Sequence, residues 1–147
     1  MSRSIVCGVD GSSEARAALQ VAAQLSGQLG LRLVVAHIAH ATLVATRGTG
    51  PMAAASEAPD VYIDAAEKLV EQMLVDEGLV EAERRVALGF PADRLADLAD
   101  EESAEMIVVG SRGRGAFKTA FLGSVSNELI GVARCPVVVV PPGATAP

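Results

Sequence analysis

The chain of 147 residues contains no tryptophan, one tyrosine and three phenylalanines. A core without aromatic bulk must be filled by Val, Leu, Ile and Ala, and hydrophobic residues make up 50% of the chain. Such a composition favours parallel strands buried on both faces under helices. Positive charge is also scarce: 12 Lys and Arg against 18 Asp and Glu leave a formal net charge of -6. That balance gives no general attraction to nucleic acid or to an anionic membrane. No run of about 18 apolar residues is present to span a bilayer. The opening MSRSIVCGVDGSS has too short an apolar run for a signal peptide. A cytoplasmic protein is expected, folded as a single domain that buries about two thirds of its unfolded surface. Two cysteines make no disulfide framework and no CxxC; Cys7 and Cys135 read as reduced thiols, the first in the core.

Two nucleotide motifs are missing as well. No GxxxxGK[ST] occurs, so a lysine-bearing phosphate loop is excluded. The first strand-to-helix turn, Asp10-Gly11-Ser12-Ser13, lacks GxGxxG, which argues against a dinucleotide oxidoreductase. An SGGxDS-like loop at that place would suggest splitting of ATP to AMP, and the chain has VDGSS instead.

What is present centres on Met106 to Val125, MIVVGSRGRGAFKTAFLGSV. A short apolar strand, Met106 to Val109, runs into Gly110, Gly113 and Gly115, where the backbone can turn sharply and approach a ligand. Gly123 and Ser124 open a second turn, with Ser124 expected to cap a helix over Val125 to Arg134. A helix start presents unpaired N–H groups and a positive dipole end, a ready seat for an anion. The only charges between the two turns are Arg112, Arg114 and Lys118, all positive in an acidic chain. A phosphate ligand is indicated, against the plainer alternative of a solvated basic loop.

Along the chain, Ile5 to Val9 reads as a strand, followed by a helix capped by Ser12 or Ser13 and carrying Ala15, Ala18, Leu19, Ala22 and Leu25 at helical spacing. Gly27 and Gly30 end that helix, and Leu31 to Ile38 is a second apolar strand. His40 to Asp60 has neither helical nor strand periodicity and reads as a mobile insertion, a possible lid. A helix over Val61 to Glu77 buries Ala65, Ala66, Leu69, Val70, Met73 and Leu74. Val80 to Leu88 alternates as a third strand nearer the sheet edge. Gly89-Phe90-Pro91 leads into a short helix with Leu95, Leu98 and Ala99 inside. Pro136 to Pro141 is a fifth strand, and a disordered tail is expected after Pro142. Strands alternating with helices imply a doubly wound five-stranded parallel sheet with helices on both faces. A ligand then binds beyond the strand carboxyl ends where the strand order reverses.

The spacing Gly110, Gly113, Gly123, Ser124 fits G-x2-G-x9-G-[ST], and with Val9-Asp10-Gly11-Ser12, Gly89-Phe90-Pro91 and the closing PVVVVPP the chain resembles the ATP-binding branch of the universal stress protein family over nearly its whole length. The resemblance implies a Rossmann-like sheet, similar to adenine nucleotide alpha-hydrolases, with strand order 3-2-1-4-5. It implies that Val9, Asp10 and Gly11 meet the adenosine part, that the backbone near His37 and Ile38 contacts adenine, and that Gly89 stands near the site. Gly110, Ser111, Arg112, Gly113 and Arg114 would wrap ribose and phosphates, and Gly123, Ser124, Val125 and Ser126 would hold the phosphate tail. For Asp10 the rival role is capping the following turn, and for Ser126 that of an ordinary first-turn residue.

ATP is expected to bring Mg²⁺ on its phosphates, which needs few protein ligands. The HxxH of His37 and His40 is unsuited to chelation, since i and i+3 on a strand face opposite ways. Glu128 alone follows the phosphate stretch as a carboxylate and is expected to face solvent, so efficient hydrolysis is not expected. The function indicated is a nucleotide-dependent regulatory module acting in stress response on an unidentified protein partner. The alternatives are a slow ATP hydrolase or autophosphorylating phosphotransferase, and a dimeric interaction module without nucleotide. The apolar edge strand Pro136 to Pro141 needs cover; the resemblance implies a homodimer through it.

Overall fold

The computed structural model describes residues 2–40, 59–112 and 122–145. Five strands, β1 (Ser4–Gly8), β2 (Arg32–His40), β3 (Glu83–Gly89), β4 (Ala104–Gly110) and β5 (Val137–Val140), form one sheet in the order β3-β2-β1-β4-β5. Every neighbouring pair is parallel. Among the described residues the helices are α1 (Ser13–Leu29), α2 (Pro59–Asp76), α3 (Pro91–Glu101) and α4 (Ser124–Val132).

Alternation along the strands divides the core in two. Ile5, Cys7, Val35 and Val108 turn toward α1 and α2, where Leu19, Val70, Met73 and Leu74 meet them. Val6, Val34, Ala36, Ile107 and Val109 turn the other way, onto Leu95, Leu98 and Ala99 of α3 and Leu129 of α4. Both faces of the sheet are covered, which is why the strands read as continuous apolar runs.

Helix α1 begins where Ser12 Oγ accepts from Ala15 N–H at 3.1 Å, a cap that contributes about 1 kcal/mol. It ends at Gly30 in the left-handed conformation, whose N–H returns to Ser26 C=O. Helix α3 starts with Pro91 in its first turn as expected.

Several boundaries differ from expectation. The third strand starts at Glu83, not Val80: Val80 is 63% exposed, in a turn held by Leu79 N–H on Leu74 C=O and Ala82 N–H on Leu79 C=O. Leu79 and Ala82 pack on the core from that turn, and Ala82 there falls in step with Val86 of the strand, which extends the apparent alternation upstream. Strand β2 continues to His40, because β3 offers it a partner as far as Gly89, and α2 begins at Pro59. The rest of the expected insertion, 41–58, lies outside the described residues. Beyond Pro142 the chain turns back, Ala144 N–H donating to Pro141 C=O while Ala144 packs against the core; the tail is ordered that far. No helix among the described residues is long and apolar enough to cross a membrane.

Candidate functional site

At the carboxyl ends of β1, β2 and β4 a cleft of about 830 Å³ opens between the helix layers, a size suited to a small-molecule ligand. It lies where the chain reverses direction across the sheet, since β1 has β2 on one side and β4 on the other.

The floor is built by β1. Val9 N–H donates to Ala36 C=O at 2.8 Å, and Val9 C=O accepts from His37 Nδ1 at 2.7 Å. A carbonyl only accepts, so Nδ1 carries the proton of the His37 ring. Asp10 Oδ1 accepts from Ser12 N–H at 3.0 Å, an Asx turn across Gly11, whose φ of 83° calls for glycine. Asp10 thus shapes the turn into α1 and also lines the cleft.

The second wall joins the end of β4 to the start of α4. Ser111 N–H donates to Val140 C=O at 2.9 Å, and Ser111 C=O accepts from Gly123 N–H at 2.6 Å. Ser126 Oγ lies 3.1 Å from Ser111 C=O and 3.1 Å from Gly123 C=O, so its single proton is shared between two carbonyls. Ser126 is buried, and its hydroxyl ties the two glycine turns together. It is therefore not an ordinary first-turn residue.

Gly123 holds the N-cap position of α4 with φ -70° and ψ 164°, and no side chain caps the helix. The expected cap, Ser124, is instead the first helical residue, one position inside. The extended backbone of Gly123 already supplies the turn, and with no Cβ it leaves the N–H groups of Ser124, Val125 and Ser126 without a side-chain acceptor among the described residues. This is the chemistry an anion fits, with Arg112 as the single Lys or Arg side chain among the described residues of the cleft.

Of the residues singled out from the sequence, Val9, Asp10, His37, Ile38, Gly110, Arg112, Gly123, Ser124, Val125 and Ser126 all line the cleft. Gly11, Gly89 and Ser111 stand behind it, the first in the Asp10 turn, the second at the end of β3 opposite His40, the third in the wall just described. Gly113 and Arg114 lie outside the described residues, as does Lys118. Gly110 has a reason different from ligand approach: a Cβ there would stand 2.9 Å from the Glu14 carbonyl carbon and 3.0 Å from its oxygen. Close packing of α1 on β4 requires that glycine.

His37 and His40 do not converge. His37 is bound to Val9, while His40 meets the Phe90 ring edge-on at 5.9 Å. No group of three or more His, Cys, Asp or Glu among the described residues could hold a metal ion. Cys7 is wholly buried, and burial pushes its thiol up to about 12. Burial chiefly, and then Asp100, raises Cys135. Neither is an activated nucleophile.

Sequence reasoning missed the wall opposite the anion seat. Tyr62, Ala65, Ala66 and Leu69 of α2 line it. The apolar face assigned to that helix began at Ala65, yet Tyr62, Ala66, Leu69 and Met73 share one helical stripe, and the single tyrosine of the chain could have been placed on it.

The model of the universal stress protein family matches residues 1–141. A universal stress protein of Thermus aquaticus is 32% identical over 140 residues, covering 95% of this chain and 99% of that one. Among solved structures, a universal stress protein in complex with cAMP has a TM-score of 0.67 at 25% identity, covering 97% of this chain and 99% of that one. One from Archaeoglobus fulgidus in complex with dAMP has a TM-score of 0.59 at 26% identity, covering 94% and 97%.

Proposed function

Because the chain belongs to the universal stress protein family, we propose that its cleft binds ATP and that occupancy regulates contact with a protein partner in a stress response. The observation that carries this reading is the two-ended cleft: an uncapped helix start with Arg112 at one end, and the apolar wall of α2 and Ile38 at the other. Relatives in complex with cAMP and dAMP support an adenine nucleotide as the class of ligand.

In this reading the phosphates sit on the N–H groups of Ser124, Val125 and Ser126, with the exposed Ser124 hydroxyl as a further donor. The Ser126 hydroxyl keeps its carbonyls and holds the wall. Asp10 and Gly110 flank the sugar, and Arg112 faces the phosphates. Backbone at His37 and Ile38 borders the base. Mg²⁺ arrives on the phosphates, where it neutralises charge and retains most of its water. Glu128 is exposed on α4 and is not among the cleft residues, which supports a regulatory rather than a hydrolytic role. A homodimer through Pro136 to Pro141 belongs to the same reading, since β5 is hydrogen-bonded to β4 on one side only and stands at the end of the sheet.

The test is ATP binding by calorimetry, with and without Mg²⁺, for the wild type and for Ser124→Asp. A carboxylate at the first position of α4 favours the helix dipole and repels phosphate. Ser124→Asp should fold at least as stably as the wild type and lose ATP at least about tenfold. Equal ATP affinity in both proteins removes the phosphates from α4. Sustained turnover under saturating ATP and Mg²⁺ replaces the regulator with a hydrolase.

A further inference from the structure

Tyr62 carries a hydroxyl that the fold leaves unserved. Its oxygen is buried and has no hydrogen-bond partner among the described residues, although the residue lines the cleft. Elsewhere buried hydroxyls are satisfied: Ser4 Oγ donates to Glu102 C=O at 2.8 Å, and Ser126 Oγ serves two carbonyls. A buried hydroxyl without a partner costs more than the hydrogen bond it forgoes, and phenylalanine would pack in the same space without that cost. The orphan thus points to a partner supplied from the cleft.

The position of Tyr62 says which part of a ligand that is. Helix α2 packs on β2 and β3, whereas the anion seat belongs to β4 and α4. With β1 between them, β2 and β4 are two strand spacings apart, about 10 Å. A ligand with its phosphates on α4 therefore carries its other end toward Tyr62, where Ala65 and Leu69 suit a flat apolar ring. We infer that the Tyr62 hydroxyl hydrogen-bonds the polar edge of the nucleobase and is a specificity-determining residue of the cleft. This rests on the nucleotide reading above, and goes beyond it by assigning the base edge to one side chain.

Tyr62→Phe tests it, with ATP, inosine triphosphate and inorganic tripolyphosphate as probes in calorimetry. Without ligand the variant should melt at or above the wild type, because an unpaired hydroxyl has been removed. ATP should bind about tenfold more weakly, the worth of one hydrogen bond, and the preference between ATP and inosine triphosphate should shrink. Tripolyphosphate should bind both proteins alike. Tyr62 is the only tyrosine and there is no tryptophan, so the tyrosine doublet of the wild-type Raman spectrum reports this hydroxyl alone. It should change with ATP and stay unchanged with tripolyphosphate, which decides the matter even if the variant fails to fold. Unaltered ATP affinity in Tyr62→Phe, or an equal loss for tripolyphosphate, overturns the Tyr62 inference and leaves nucleotide binding standing. A wild type that binds none of the three probes overturns both.

Discussion

The backbone N–H of Gly123 donates to the carbonyl of Ser111 at 2.6 Å, so the strand that enters the glycine-rich stretch and the helix that leaves it are joined by main chain. Ser126 Oγ reinforces the junction from inside. Replacing Ser126 with Ala should cost about 1 kcal/mol, read as a lower urea midpoint. Hydrogen exchange at the Gly123 amide should quicken in the same variant. An unchanged Gly123 exchange rate would mean that the backbone bond holds the wall alone.

Two glycine-to-alanine changes should have opposite signs. Gly110→Ala sets a methyl against the backbone of Glu14, which cannot swing aside, and should destabilise by about 1–3 kcal/mol. Gly27 lies inside α1 with nothing within 4 Å of its would-be Cβ, so Gly27→Ala should stabilise by about 0.5–1 kcal/mol. Thermal unfolding of both variants checks the pair; a neutral Gly110→Ala would show slack between α1 and β4.

Acid should weaken one edge of the sheet in a defined window. Arg32 hydrogen-bonds Glu83 at 2.9 and 3.0 Å and holds its carboxyl below the usual range. A depressed folded pKa gives stability that is present above the ordinary glutamate value of about 4.3 and is lost as pH falls through the lower folded value. The pair is partly exposed, which limits the effect to under about 1 kcal/mol. Wild type should exceed Glu83→Gln in stability at pH 7, and the gap should close as pH falls below the ordinary glutamate range. A gap that persists in acid would assign the difference to packing.

Thiol chemistry should separate the two cysteines. Cys7, pushed up to about 12 by burial, should resist a disulfide reagent at pH 8 in the folded protein. Titration should give at most one thiol before denaturation, from the partly exposed Cys135, and two after it. The sign for stability follows: an unfolded thiol ionises near 8.5 while Cys7 holds its proton to about 12, so this group favours unfolding as pH rises across that range.

The sheet was legible because parallel strands covered on both faces must be apolar throughout, and runs such as Leu33 to Ala36 and Val137 to Val140 have few other uses. Val80 misled because Val80 and Ala82 carry the period-two spacing of the strand upstream into a backbone-bonded turn, where Ala82 still packs on the core while Val80 faces solvent. Ser124 misled because a serine before an apolar run scores as a cap, while backbone shape at Gly123 decides where the helix begins. In the site, glycine spacing located the cleft but not the causes. Gly110 answers to Glu14 across 104 to 110 and α1, a long-range contact with no sequence signature. Tyr62 belongs to the cleft only because α2 lies over β2, again a matter of tertiary placement.

In a sheet whose strands all run one way, the connecting helices return the other way, and the four helix beginnings among the described residues gather at the edge where the strands end. Each beginning carries roughly half a positive charge. The molecule therefore has an electrical polarity that its formal charge of -6 conceals. At physiological ionic strength a charge is felt over about 8 Å, so an anion near the cleft meets the helix ends and Arg112 rather than the acidic surface as a whole. Capture at this edge is set by local field, and substitutions of distant acidic residues should leave it unaltered.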